Sequence, residues 1–338
     1  MKPRIIYYSL LFVMSLMVMS SLALSSGINR KGALELDGMI YGTAPKPFVY
    51  RQLLPAATRL SVQAIPDEMR QQLSQKASQS STMMKILSRI SLSPNIFVEY
   101  TVTLLFIYLS LWGFIISFRY LFVNLFEAPP YFNDTVVLAA VAGIPAFFGY
   151  SYIYDIPTLF LFTLGLAIML KRKWNIFLFV YFMGCWSKET MILLTLVFCI
   201  HFYKSQKIGR NIFFRLLAAQ AVVFVTVKIC LEILYSDNPG GLVEFHLTHN
   251  LLFGYHYTLP VFLTWVIFCI LIFYDWDKKP VFLKNALWIG VPLIILTLFL
   301  GLIHEIRDYG EMYAILFGLM AHSVAVVLKI PISVKENV

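Results

Sequence analysis

The sequence predicts an all-α polytopic membrane protein with about ten transmembrane segments, two of them short or broken. Three observations carry that reading. First, 59% of the 338 residues are hydrophobic and 13% are charged, whereas a soluble domain carries about 25% charged residues. Second, many apolar runs approach the roughly 20 residues with which a helix crosses a bilayer while satisfying its own backbone. Third, the few charges sort by loop. Lys2 and Arg4, Arg119, Lys171 to Lys173, Lys204 with Lys207 and Arg210, Lys278 with Lys279 and Lys284, and Lys329 with Lys335 occupy one set of loops. Asp155, Lys188-Glu189, Glu244 with His246 and His249, and His304-Glu305 with Arg307 occupy the other. Cytoplasmic loops collect Lys and Arg, which places the first set inside.

The first segment is 5–26. Its basic start and its ending in Leu-Ala-Leu-Ser-Ser-Gly also fit a cleaved signal peptide. The apolar run is longer than the 7–15 residues or so of a signal core, so an uncleaved helix is expected. A large outer loop, 27–95, follows. In it Arg51 to Ile65 sets Leu53, Leu54, Ala57, Leu60 and Ile65 near helical spacing. Pro66-Asp67-Glu68 opens a second helix that runs to Ile90. Both read as amphipathic helices, either lying on the membrane surface or packed on the transmembrane body. Ser78 to Thr82 is a serine-rich hinge.

The later segments are 96–118, 135–150, 156–170, 175–186, 190–203, 212–235, 258–274, 282–303 and 310–329. At about 1.5 Å per residue, 175–186 and 190–203 are too short to cross alone. Merging them into one helix would put Lys204, Lys207, Arg210 and the 278–284 lysines outside, against the charge rule. Two half-length helices meeting at Ser187-Lys188-Glu189 are therefore expected. Such breaks at membrane depth line a cavity or are buried in protein. The whole chain, 1–338, reads as a single integral membrane domain with both termini cytoplasmic.

The net charge of +9 lies largely in the inner loops and the first outer loop. It points to lipid headgroups or lipid phosphates as partners and not to nucleic acid. The four cysteines, Cys185, Cys199, Cys230 and Cys269, sit inside apolar segments with neither zinc-ligand nor disulfide spacing. Glu244, His246, His249 and His256 match no strong zinc pattern, and no metal-ligating residue is assigned. Lys228 and Glu232, four apart on one helix, read as a structural pair.

Ionisable residues in or beside membrane helices are functional candidates, because burying them is costly. Five places qualify. In Glu35-Leu36-Asp37-Gly38, Asp37 is a candidate base or cation ligand, or else a solvated loop acid. In the segment from Pro47 to Pro55, Arg51 and Arg59 are candidate phosphate clamps, or else snorkelling side chains. Asp155 opens a helix with Pro157 in its first turn, as a cap or a functional acid. The Lys188-Glu189 pair needs partners that offset desolvation. Finally, His304-Glu305-Ile306-Arg307-Asp308-Tyr309-Gly310-Glu311 packs five ionisable groups into eight residues, with Arg307 a candidate phosphate ligand, Glu305 its orienting partner and His304 beside them.

An acidic first outer loop with two surface helices, a second outer Asp, short interrupted helices and the string Trp186-Ser187-Lys188-Glu189-Thr190 followed by Met-Ile-Leu-Leu resemble the GT-C superfamily. These are polytopic glycosyltransferases that use polyprenyl-phosphate-linked sugars. The resemblance covers the first seven segments best. The family's paired acidic motif is interrupted here by Leu36. The resemblance implies transfer at the extracytoplasmic face, with Asp37 and Asp155 as the loop acids, Glu189 beside them, and Arg51, Lys188 or Arg307 on the departing lipid phosphate. A divalent cation, Mg or Mn, is the candidate cofactor. A bacterial inner membrane is the expected setting. A polymerase or ligase of the O-antigen type, a flippase or transporter of a lipid-linked or anionic solute, and a non-enzymatic assembly subunit are the rival readings.

Overall fold

The structure, a computed structural model, describes residues 2–24, 27–29, 35–203, 208–241, 243–253, 259–303 and 305–335. It is 78% helical. Among the described residues, five helices are long and apolar enough to cross a membrane: Arg4–Ala23, Pro94–Leu125, Arg210–Leu234, Val281–Leu300 and Ile306–Val327. Asp155–Leu170, Trp174–Ser187 and Glu189–Phe202 are apolar but shorter. The chain is thus an integral membrane protein whose apolar helices meet lipid.

Helix α1 (Lys2–Ala23) leads into the first loop, which holds α2 (Leu36–Tyr41), α3 (Leu53–Gln63), α4 (Asp67–Gln79) and α5 (Ser81–Arg89). Then come α6 (Phe97–Leu125), α7 (Pro130–Phe147), α8 (Asp155–Leu170), α9 (Trp174–Ser187), α10 (Leu193–Phe202) and α11 (Arg210–Leu234). The last third contains α12 (Leu247–Phe253), α13 (Leu259–Phe273), α14 (Val281–Leu287), α15 (Gly290–Leu300) and α16 (Tyr313–Val327). A two-residue ladder joins β1 (Phe126–Glu127) to β2 (Ser333–Val334), antiparallel.

The core forms around α6 and α8. Phe114, Phe118 and Phe122 recur every fourth residue of α6, so their rings share one face. With Phe126 they form a buried aromatic ladder. Phe114 also meets Tyr313 of α16 edge-on at 5.9 Å. Nearly all of α8 is buried, including Asp155 at its first position. A helix apolar all round belongs in the middle of a bundle, and its single acid stands out there.

The α9–α10 boundary is a reversal. Lys188 is extended (φ −160°, ψ 145°), and a 3₁₀ turn, Glu189–Ile192, follows it. Trp174 at the start of α9 packs on Phe198 and Phe202 near the end of α10, so the two helices run antiparallel. Gly184 permits the close crossing, because a Cβ there would lie 2.2 Å from the Met191 methyl. The single-helix alternative for 175–203 is excluded by these contacts.

The structure corrects several boundaries. Residues Leu36 to Tyr41, within the expected outer loop 27–95, form helix α2. The stretch 67–90 divides at Ser80, inside the serine-rich hinge expected at 78–82; the Ser80 hydroxyl accepts the Met83 amide at 3.3 Å and caps α5. Of the two readings given for these amphipathic helices, α3 fits packing on the transmembrane body: it buries Leu54, Pro55, Thr58 and Val62, with Thr58 3.3 Å from Thr103 of α6. Segment 282–303 divides into α14 and α15, and a 3₁₀ turn, Ile306–Met312, precedes α16.

One end of the bundle is fastened by a clasp between the first loop and the end of α11. Lys46 Nζ pairs with Glu232 at 3.2 Å and donates to the Ser236 carbonyl at 2.9 Å. Tyr50 donates to the other Glu232 oxygen. Asn238 donates to the Gly42 and Ala44 carbonyls at 2.8 Å each. At the opposite end, the Lys335 amide meets the Leu125 carbonyl at 3.0 Å. There, buried Lys279 donates to the Leu319 carbonyl at 2.6 Å and to Ser323 at 2.7 Å.

Candidate functional site

Four stretches remote in sequence meet at the clasped end: the turn before α3, the mouth of α8, the α9–α10 reversal, and the turn before α16. Lys228 of α11 joins them. Gly27 lets the first loop approach the mouth of α8, since a Cβ there would sit 2.4 Å from the Ser151 carbonyl oxygen.

Arg51 lies at the end of the 3₁₀ turn Phe48–Tyr50. Its Nη2 pairs with Glu189 at 2.6 Å, its Nη1 donates to the Tyr154 hydroxyl, and its guanidinium stacks 4.4 Å from the Tyr154 ring centroid. Burial pulls the Arg51 pKa down, but Glu189 outweighs that and holds it above the usual arginine range. Lys228 reaches the second Glu189 oxygen at 4.0 Å. Glu189 therefore carries two cations.

The reversal places Lys188 behind this pair. Its Nζ lies 3.2 Å from Glu311, and Thr190 donates to the same Glu311 oxygen. Burial pulls the Lys188 pKa down, but Glu311, then Asp155 and Asp308, outweigh it and hold the pKa above the ordinary lysine value. All three acids thus act on one ammonium. Ser187 and Thr158 share a hydrogen bond at 2.9 Å, tying the reversal to α8.

Asp155 opens α8. Its Oδ2 accepts the Tyr152 amide at 2.7 Å and lies 3.5 Å from Arg307 Nη1. Arg307 also pairs with Glu305, lies 3.9 Å from Asp308, and stacks 3.7 Å from the Tyr152 ring centroid. Tyr154 and Tyr152 are thus backing plates for two arginines.

Burial makes the arrangement costly. Asp155, Lys188, Arg307 and Glu311 are exposed by 3%, 7%, 8% and 1%. A buried charge needs pairing and full hydrogen bonding to offset its desolvation. Here Asp155 Oδ1, Arg307 Nε and Glu311 Oε2 are buried with no hydrogen-bond partner among the described residues. Unsatisfied groups of this kind are rare in native folds. Three in one network leave donor and acceptor capacity for a ligand.

The sequence-derived candidates divide accordingly. Arg51, Asp155, Lys188, Glu189, Glu305 and Arg307 are brought together. Asp37 is not: it is exposed in the first turn of α2, and Oδ1 accepts its own neighbour's amide, Gly38 N, at 2.8 Å. Arg59 is not either: its Nη1 donates to the Ile40 carbonyl at 2.9 Å, where it ties down the end of α2. His304 lies outside the described residues, as does His256. Lys228 and Glu232 are not partners, because Lys228 faces Glu189 and Glu232 faces the clasp. Glu311, Thr190 and Ser187 complete the cluster. Glu311 stood at the end of the charged string 304–311, where its burial was the missing signal.

Among the described residues, no group of three or more His, Cys, Asp or Glu side chains is placed to hold a metal ion. The acids of the cluster pair with Arg and Lys. No protein-family model, curated protein or solved structure matches the chain.

Proposed function

We propose that the cluster binds the phosphate of a lipid-linked sugar, and that the protein is a membrane glycosyltransferase acting at the extracytoplasmic face. The observation that carries this reading is the pair of buried cations Lys188 and Arg307, with half-buried Arg51 beside them and Arg307 Nε an open donor among the described residues. Guanidinium and ammonium groups bind phosphate oxygens through charge-assisted hydrogen bonds. In a site shielded from water they stabilise charge on a departing phosphate.

In the transfer, an acceptor hydroxyl attacks the anomeric carbon. The new C–O bond forms as the bond to the lipid phosphate breaks, and the electron pair leaves with the phosphate. Arg307 and Lys188 receive that charge, with Arg51 behind them. Asp155, whose Oδ1 is open, takes the hydroxyl proton. Asp37 has no described contact with the cluster, so the base role falls to Asp155. Glu189 and Glu305 hold the two arginines in register. No step is routed through a metal ion.

The proposed topology is ten crossings with both termini cytoplasmic, in a bacterial inner membrane. The charge sorting supports it, as does the placing of the cluster at the end away from Lys279 and Lys335. The test uses the full chain in liposomes with a panel of polyprenyl-phosphate hexoses and pentoses. Release of polyprenyl phosphate is expected with at least one donor. Arg307→Ala should lower it about 100-fold or more, the order seen when one transition-state donor is removed. No release with any donor, together with unchanged polyprenyl-phosphate binding in Arg307→Ala, overturns the reading.

A further inference from the structure

A second polar site lies in the first loop, between surface helix α4 and the start of α6. It is an open cleft of about 380 Å³ lined by Asp67, Arg70, Gln71, Ser74, Asn95, Val98 and Glu99. Its volume falls in the range of small-molecule sites, about 300–1,000 Å³.

Glu99 is the unusual member. It lies in the first turn of α6, where a carboxylate is favoured by the helix dipole. That accounts for an acid at this position but not for its burial, since it is only 6% exposed. Among the described residues its side chain receives one hydrogen bond, from the Tyr41 hydroxyl at 2.7 Å. Burial first and then Glu99 push the Tyr41 pKa up to about 12, so the phenol stays protonated and keeps donating. An ionised carboxylate offers about four acceptor sites, and most of this one's remain for whatever enters the cleft. Arg70 does not use them, because its guanidinium is paired with Asp67.

The rest of the lining fixes the class of ligand. Gln71 and Asn95 carry amides that both donate and accept, and Ser74 adds a hydroxyl. Val98 is the one apolar side chain, which disfavours a lipid tail or an aromatic drug-like group. The one cation in the lining, Arg70, is already paired with Asp67, which disfavours phosphate. The Arg70 guanidinium in the wall disfavours a polyamine. Alternating donors and acceptors around a buried carboxylate match a ring of hydroxyl groups. We propose that the α4–α6 cleft binds a neutral sugar unit, with Glu99 and Gln71 as its principal hydrogen-bonding residues. This site is separate from the cation cluster and stands whether or not that cluster transfers sugar.

The test is saturation-transfer NMR on the full chain in lipid nanodiscs, which avoids sugar-headed detergents. The probes are maltose, cellobiose and N,N′-diacetylchitobiose. At least one is expected to bind. Glu99→Gln, which keeps the side-chain shape, and Gln71→Ala, at an exposed position, should each weaken binding about tenfold or more, as loss of a hydrogen bond to a charged or buried group does. Arg307→Ala should leave it unchanged, which separates this site from the phosphate cluster. No binding by any of the three, binding that survives both cleft variants, or stronger displacement by glucose 6-phosphate or spermidine overturns the proposal.

Discussion

Two buried polar regions at the same end of the bundle are built to opposite rules. Asn250 of α12 is fully buried. Its amide donates to the carbonyls of Thr297, Leu298 and Gly301, at 3.2, 2.8 and 2.9 Å. Its oxygen accepts the Ile303 amide at 3.1 Å. Every partner is backbone at the end of α15, where the last carbonyls of a helix have no partner of their own. The centre of the ion cluster, Asp155, Lys188, Arg307 and Glu311, is also buried but has three polar atoms with no partner among the described residues. The contrast separates the two uses of a buried polar group. Where hydrogen bonding is complete, the group holds the fold. Where it is incomplete, the fold holds the group for something else.

The comparison can be broken at its stronger side first. Lys188→Ala leaves Glu311 buried and unpaired, and should cost about 3–5 kcal/mol. Replacing both partners, Lys188→Met with Glu311→Leu, should restore much of that stability, since buried pairs exchange for apolar ones at little cost. Thermal unfolding in nanodiscs measures the first effect and its recovery. Donor turnover in the double variant then decides the meaning. Activity that stays lost supports a ligand site, whereas activity that returns with stability makes the cluster structural and ends the distinction.

A smaller effect is expected on the Asn250 side. Asn250→Ala strips the cap from α15 and should cost about 1–3 kcal/mol. Its turnover per folded molecule should match the parent. A selective loss of turnover without loss of stability would place Asn250 in the site and blur the two classes.

The weakest expected effect is at the clasp. Glu232 is 46% exposed while its partner Lys46 is 11% exposed, and exposed ion pairs contribute about 0–1 kcal/mol. Glu232→Gln should shift the unfolding midpoint slightly and leave turnover intact. A large loss would mean that the clasp positions Arg51, which lies next to Tyr50 in sequence.

Much of this architecture is legible in the residues. The strings around Arg51, Asp155, Lys188-Glu189 and Arg307 stand out because ionisable groups are scarce in an apolar chain, and each ends up in the cluster. The reversal at Lys188 follows from helix length and loop charge. Other features were not legible. Lys228 and Glu232 have the spacing of a pair, yet each answers to a partner more than 35 residues away in sequence. Helical spacing states which side chains share a face, not what that face meets. Arg59 has the chemistry of a phosphate ligand and is spent on a carbonyl of α2. Glu99 opens a helix in the ordinary way, and only the packing of α4 over it creates a cleft.

The sequence by itself determined the solvent and the class of fold. Long apolar runs with few charges exclude a soluble core, and lipid leaves helices as the way to satisfy such segments. It also determined which loops carry the rare charges. The tertiary structure decided which of those charges meet, which are consumed by the backbone, and which keep an unused bond. Those outcomes depend on distances of 3–4 Å between segments remote in the chain. Composition and periodicity are local quantities and do not encode them.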